Sequence, residues 1–243
     1  MPDETKPSAI VLDHVRFAWP DMPMEFDLSV ARNHIAIVTG PSGSGKSTLL
    51  NLIAGFEAAE GGRIMIDNRD YTDVPVSGRP VSLLFQEHNL FAHLTVETNA
   101  GFGIAPRRMV GAIERQRVKD ALASVGLAGK EDRLPHQLSG GERQRAAFAR
   151  ILLEDRPVLL LDEPFASLGP SLRLEMMDLL TELQTKRPRT ILAVTHHPQE
   201  WRDVAGSFVF VNEGRILATG AIGEIGSPAL PDSVKHYLGA DRE

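Results

Sequence analysis

The stretch Gly40-Pro41-Ser42-Gly43-Ser44-Gly45-Lys46-Ser47-Thr48 constrains this chain most. An apolar run, Ile35-Ala36-Ile37-Val38, leads into it, and Leu49-Leu50-Asn51-Leu52-Ile53-Ala54 follows. The order is strand, glycine loop, helix, and G-x-x-x-x-G-K-[ST] in that setting reads as a P-loop. A phosphate chain needs several backbone N–H donors aimed at one place. Glycines let the loop wrap without side chains intruding, and the helix that follows adds the positive end of its dipole. Lys46 can reach the outer phosphates as a point charge, and Ser47 can offer its hydroxyl to Mg²⁺. The bland alternative is a glycine-rich turn with a surface lysine. The flanking strand and helix favour nucleotide binding.

Composition narrows the rest. The 243 residues suffice for one large domain or two small ones. A hydrophobic content of 42% and a charged content of 24% are ordinary for a globular chain. A net charge of −6 gives no basic field for nucleic acid or acidic lipid. No apolar stretch approaches the ~20 residues that span a bilayer. The start, Met1 to Lys6, lacks the basic and apolar regions of a signal peptide. With no cysteine, disulfides, thiolate metal sites and cysteine nucleophiles are excluded. The histidines are scattered, without metal-ligand spacing.

Along the chain, the pattern predicts strands at residues 9–17, 24–30 and 34–38, with a proline-punctuated turn at 17–23 that carries Trp19. A short strand is expected at 63–67 and an apolar one at 80–85, ending at Gln86. Residues 87 to about 135 change character and read as a mostly helical insert, with a helix around 113–125. The apolar runs Val158–Leu161 and Thr190–Val194 do not alternate, which suits strands buried on both faces of a parallel sheet. A helix is expected at 172–183, and 208–218 reads as a hairpin around Asn212-Glu213-Gly214. Buried strands alternating with helices argue an α/β core. The P-loop, Gln86, Asp162-Glu163 and His196 all fall at the C-terminal ends of expected strands, the edge where open α/β sheets bind ligands.

Two further stretches carry chemistry. Asp162 and Glu163 end a buried strand in a chain that already has a P-loop. Asp162 suits the Mg²⁺-holding aspartate of such proteins, and Glu163, one residue on, is placed to orient or deprotonate an attacking water. Alone, Asp-Glu-Pro would be an acidic surface turn. Ser139-Gly140-Gly141-Glu142 forms a capping box, Ser-x-x-Glu, at a helix start. Two glycines in a first helical turn cost roughly 1 kcal/mol each relative to alanine. They make sense where an anion must approach the backbone closely.

Taken in order, Gly40–Thr48, Gln86, Leu138–Glu142, Leu159–Glu163 and His196 resemble the ATP-binding-cassette ATPases over nearly the whole chain, from about residue 10 to 220. The resemblance implies a P-loop NTPase with a RecA-like core and antiparallel β-subdomain from residues 1–86 and 156–243. A helical subdomain over 87–155 would carry the signature motif. It implies ATP and Mg²⁺ as cofactors, and a head-to-tail homodimer in the ATP-bound state. Lys46 of one chain and Ser139-Gly140-Gly141 of the other would clamp the same γ-phosphate. Gln86 would sense the γ-phosphate and Mg²⁺, with Ser47 and Asp162 as the other metal-facing residues. His196 would be the switch histidine, and Trp19 takes the place of the aromatic that stacks on adenine. After Asp162-Glu163-Pro164-Phe165 the family usually reads Ser-Ala-Leu-Asp, whereas this chain reads Ala166-Ser167-Leu168-Gly169.

Within the family, residues 23–26, 80–91 and 93–96 are similar to the ATPase subunits of bacterial thiamine importers. That likeness implies membrane permease subunits docked on the segment around 86–100, a periplasmic solute-binding protein acting indirectly, no nucleic acid, and a peripheral place on the cytoplasmic face of the inner membrane. Import of another solute (ferric iron, molybdate or polyamine), a soluble cassette of the iron–sulfur assembly type, and an export or lipoprotein-release ATPase remain alternatives at this stage.

Overall fold

The computed structural model describes residues 7–85, 90–104 and 111–238. Its strands are β1 (Ser8–Trp19), β2 (Met22–Ala31), β3 (Ile35–Thr39), β4 (Gly61–Ile66), β5 (Arg69–Asp70), β6 (Val81–Leu84), β7 (Val158–Asp162), β8 (Thr190–Val194), β9 (Ser207–Asn212) and β10 (Arg215–Ala221). Its α-helices are α1 (Lys46–Ala54), α2 (Val96–Gly101), α3 (Ala112–Ser124), α4 (Gly140–Leu153), α5 (Pro170–Lys186) and α6 (Asp232–Leu238).

All ten strands form one sheet in the order β5-β4-β1-β2-β10-β9-β3-β8-β7-β6. The half from β9 to β6 is parallel, and the half from β5 to β2 is antiparallel. The β9–β10 hairpin joins them: β9 runs parallel to β3, and β10 touches β2 at Arg215 and Glu25. Every residue of β3, β7 and β8 is buried. Side chains of alternate positions enter opposite cores, as the strand period of two requires. Ile37, Leu161, Ala193 and Phe208 meet the core that includes α4. Val38, Leu160, Val194 and Val209 meet α1 and the antiparallel half. Each fully buried aliphatic or phenylalanine side chain contributes about 1.5–3 kcal/mol.

Two strand expectations shift. Trp19 lies on β1 itself, because β1 and β2 continue pairing through Trp19 and Met22 and leave only Pro20-Asp21 to turn. Register also slips between Leu12 and Val15, where His14 adopts φ 49 and its N–H donates to Asp27 Oδ1 at 2.8 Å. That bulge keeps Leu12 and Val15 both on the buried face despite their odd spacing.

Among the described residues between β6 and β7, every α-helix packs in one group: α2 and α3 lie against α4 and each other, and α4 also meets β6. Asn99, fully buried on α2, accepts from the Phe91 N–H at 2.7 Å and donates to the carbonyls of Phe91, Leu94 and Thr95. This side chain thereby fixes residues 91–95. On the other side of the sheet, buried Arg79 donates to the carbonyls of Leu52 and Ile53 at 2.7 and 2.9 Å, satisfying the C-terminal end of α1. No described helix is long and apolar enough to cross a membrane.

Candidate nucleotide site at the carboxyl edge of the sheet

The loop between β3 and α1 is held open by glycine. Gly40, Gly43 and Gly45 adopt φ of 144°, 76° and 103°, conformations that cost an L-residue energy. A Cβ on Gly40 would sit 1.9 Å from the carbonyl oxygen of Val211, so the β9–β10 hairpin closes directly over the loop. The Gly214 N–H donates to the Ser44 carbonyl at 2.9 Å from the same hairpin. Pro41 and the exposed Ser42 form the outer curve of the loop.

Lys46 folds back into this loop. Its Nζ donates to the carbonyls of Gly40 at 2.9 Å and Pro41 at 2.6 Å, leaving the side chain 5% exposed. Burial pushes its ammonium below the usual lysine range, and Glu163 and Asp162 push back by charge. Trp19 reaches the same helix from β1. Its indole N–H donates to Thr48 Oγ1 at 3.2 Å, and Phe17 meets its ring edge-on at 5.1 Å. The residue remains 44% exposed beside the loop.

Asp162 ends β7. Burial raises its carboxyl above the usual range, while the Ser47 hydroxyl, as a hydrogen-bond donor, pulls the other way. Oδ1 of Asp162 is buried and has no hydrogen-bond partner, and the same holds for Oγ of Ser44. An unpaired buried carboxylate oxygen beside a serine hydroxyl is an all-oxygen donor set that suits a hard divalent cation. The residues therefore fit Mg²⁺.

Glu163 turns out of the strand with φ 48, in the left-handed region. Both sides of its backbone are held: its N–H donates to the Val194 carbonyl at 3.2 Å, and its carbonyl accepts from Gln144 Nε2 at 3.0 Å. Such fixed strain costs of order 1–3 kcal/mol and persists only where neighbours over-determine it. His196, just beyond β8, places Nε2 2.9 Å from Glu163 Oε1. Its Nδ1 lies 3.5 Å from the hydroxyl of Tyr237.

The signature stretch behaves as its capping box requires. Ser139 caps α4: its Oγ accepts from the Glu142 N–H, and Glu142 Oε2 accepts from the Ser139 N–H at 2.7 Å. Lys130 pairs with the other oxygen of Glu142 and, with the Ser139 N–H, lowers that carboxyl to about 2. A Cβ on Gly140 would have 3.9 Å to its nearest neighbour, the Arg143 guanidinium, so packing within this chain does not require glycine there. At Gly141 a Cβ would come 3.1 Å from Leu168, in the loop after Glu163.

The structure thus brings Trp19, the loop from Gly40 to Thr48, Asp162, Glu163 and His196 to one edge of the sheet. Ser139 to Glu142 begin α4, which reaches this group through buried Gln144. Besides Glu163, Gln144 binds Ser167, whose N–H and hydroxyl both donate to Oε1. Gln86 lies outside the described residues. Gln144 and Tyr237 were not legible in the motifs, because each acts on a partner distant in sequence.

A family profile described as "ABC transporter" matches residues 24–166. The thiamine import ATP-binding protein ThiQ of Mesorhizobium japonicum is 50% identical over 94% of this chain and 90% of its own length. The protein of the same name from Brucella abortus is 49% identical over 98% of this chain and 99% of its own. That of Vibrio cholerae is 46% identical over 85% and 87%. Among solved structures, a dimeric post-hydrolysis state of the ATP-binding cassette MJ0796 bound to ADP and Pi superposes with a TM-score of 0.80 at 27% identity, covering 88% of this chain and 98% of that one. A second dimeric structure of that cassette gives 0.79 at 28% identity. The P-loop, the acidic pair ending β7 and the capped glycine pair of α4 sit in a chain that belongs to the ABC transporter family, as one of its ATP-binding, ATP-hydrolysing subunits.

Proposed function

We propose that the chain is the energy-coupling subunit of an importer for thiamine or its phosphates. The observation that carries this reading is 49–50% identity to thiamine import ATP-binding proteins over nearly the full length of both chains. The same likeness favours import over a soluble iron–sulfur assembly cassette or an exporter. Ferric iron, molybdate and polyamine are the solutes to test next.

In this reading, residues 87–155 form a helical lobe on a core made of 1–86 and 156–243. Two copies close head to tail on two ATP molecules, as the dimeric state of the MJ0796 cassette supports. The loop from Gly40 to Thr48 cradles the phosphates, and Lys46 exchanges the carbonyls of Gly40 and Pro41 for phosphate oxygens. Trp19 stacks on adenine. Ser47 and Asp162, with Gln86, hold Mg²⁺, which when bound neutralises charge on the outer phosphates. Glu163 takes a proton from the attacking water and His196 donates to the γ-phosphate. Ser139, Gly140, Gly141 and Glu142 serve the partner's nucleotide through the start of α4. ATP-driven closure then moves membrane permease subunits docked near residues 86–100, fed by a periplasmic binding protein. The chain works as a peripheral subunit on the cytoplasmic face.

The test is uptake of labelled thiamine by cells with and without this gene, in a strain with no second thiamine system. Lost uptake, restored by the parent gene and not by Glu163→Gln, is expected. Unchanged uptake would sink the thiamine assignment.

A further inference from the structure

Both ring nitrogens of His196 face a polar group. Nε2 lies 2.9 Å from Glu163 Oε1. A carboxylate oxygen only accepts hydrogen bonds, so at this distance it favours the ring form with the proton on Nε2. In the neutral ring Nδ1 is then a lone-pair acceptor, and the group facing it is the Tyr237 hydroxyl at 3.5 Å, a donor. This is the outer limit of hydrogen-bond length, and catalytic hydrogen bonds in ligand-free sites are commonly long and tighten in the complex.

Tyr237 is not a loosely placed side chain. It lies on α6, which follows the β9–β10 hairpin and is pinned by fully buried Val234. Its ring packs against the main core together with Leu230 and Leu238. Phe210, buried on β9, meets that ring edge-on at a centroid distance of 5.4 Å. The hydroxyl is thus delivered to Nδ1 by a packed helix and a buried aromatic. Glu163 faces the imidazole at Nε2, and the Arg173–Glu200 ion pair and His197 line the same cleft.

We infer that Tyr237 is a positioning residue for ATP hydrolysis: its hydroxyl donates to Nδ1 of His196 and holds the imidazole as the Nε2–H tautomer, aimed at Glu163 and the γ-phosphate. In this way a tail element outside the recognised motifs sets the tautomer of a motif residue. Without the hydroxyl only Glu163 favours the Nε2–H form, and the Nδ1–H tautomer gains population. That form presents a bare Nε2 lone pair to the carboxylate and to the phosphate, so it cannot donate to either. The inference rests on the ATPase reading for its kinetic arm only.

Full-length Tyr237→Phe removes the hydroxyl and keeps the ring on Phe210, so an unchanged thermal midpoint is expected. Histidine-selective ¹⁵N labelling reads the ring tautomer, with the His196 signals assigned by their loss in His196→Gln. The parent should show the Nε2–H form and the variant a mixture of tautomers. The variant's kcat should fall roughly three- to tenfold, the effect of one hydrogen bond, with KM for ATP unchanged. An unchanged tautomer population overturns the inference whatever kcat does. So does a changed tautomer with unchanged kcat, or a loss confined to KM. If the parent itself fails to hydrolyse ATP, the functional reading fails, while the tautomer measurement still decides what Tyr237 does.

Discussion

The imidazole of His196 and the carboxylate of Glu163, from the ends of adjacent strands β8 and β7, form one close pair with Nε2 2.9 Å from Oε1. The pair is supported from behind. Gln144 on α4 binds the Glu163 carbonyl, and the Val194 carbonyl accepts the Glu163 N–H. At φ 48° the backbone of Glu163 leaves the extended course of β7.

Glu163→Gln should keep ATP binding and lose turnover. The amide is nearly the same size as the carboxylate and can still bond His196, but it cannot take a proton. A positioned general base is worth about 10²- to 10⁴-fold, so kcat should fall by at least two orders of magnitude. With two copies closing on ATP and reopening on hydrolysis, as proposed, the variant should accumulate as an ATP-bound dimer on size-exclusion chromatography with Mg²⁺. Hydrolysis near the parent rate would remove Glu163 from the base role.

Trp19 makes a second, independent prediction. Its Nε1 bond to Thr48 ties the indole to the first turn of α1, and the residue stays 44% exposed. Loss of a base–aromatic stack costs on the order of 1–3 kcal/mol, so Trp19→Ala should weaken ATP binding by roughly five- to 150-fold. Nucleotide should also quench Trp19 fluorescence. Trp201 is a quiet background, because it is buried and stacked on Phe165 at 5.9 Å. Equal affinity of parent and variant would rule the stack out.

The signature helix predicts a pH dependence of stability. Lys130, and then the Ser139 N–H, lower the Glu142 carboxyl from 4.5 to about 2. A folded-state pKa below the unfolded one means the ionised form is favoured by folding. The contribution is therefore complete above the unfolded value and is lost as pH falls toward the folded value. Glu142→Gln should unfold at a lower temperature than the parent at pH 7, and the gap should close as pH drops from about 5 to about 2. Equal melting temperatures at pH 7 would show that the pairing contributes nothing.

Much of this site was legible locally. The loop from Gly40 to Thr48 announces itself because phosphate binding constrains backbone shape at consecutive positions. The strand Thr190–Val194 falls where its unbroken apolar run places it, and Ser139 caps α4 as Ser-x-x-Glu requires. What escaped was non-local. Arg79 caps α1 across 26 and 27 residues, and Tyr237 meets His196 across 41. No period or spacing marks such partners, since they are joined only after the sheet order is set. Trp19 was expected in a turn because Pro20 and Pro23 punctuate the segment. Pairing of Ala18 with Pro23 and Trp19 with Met22 nevertheless carries the ladder past Pro23 and leaves only Pro20-Asp21 in the turn.

The last prediction concerns Gly169. The family resemblance places an aspartate here that reaches across the dimer toward the partner's P-loop. In this chain Gly169 is the N-cap of α5, extended at φ −67 and ψ 160 ahead of Pro170, with nothing within 4 Å of where a Cβ would lie. The backbone would therefore accept aspartate without strain, and two effects must be separated. As an N-cap, aspartate improves on glycine by only a few tenths of a kcal/mol, which would raise the melting temperature of the isolated subunit slightly. As a cross-dimer acceptor it would add a charge-assisted hydrogen bond worth roughly 1.5–3 kcal/mol per site. Such a bond should lengthen the life of the ATP-bound dimer formed by Glu163→Gln by at least tenfold. The double variant Glu163→Gln with Gly169→Asp should thus dissociate much more slowly than Glu163→Gln alone, and Gly169→Asp in the parent background should sharpen the ATP dependence of hydrolysis. A small rise in melting temperature with identical dimer lifetimes and identical ATP curves would assign the position to helix capping alone.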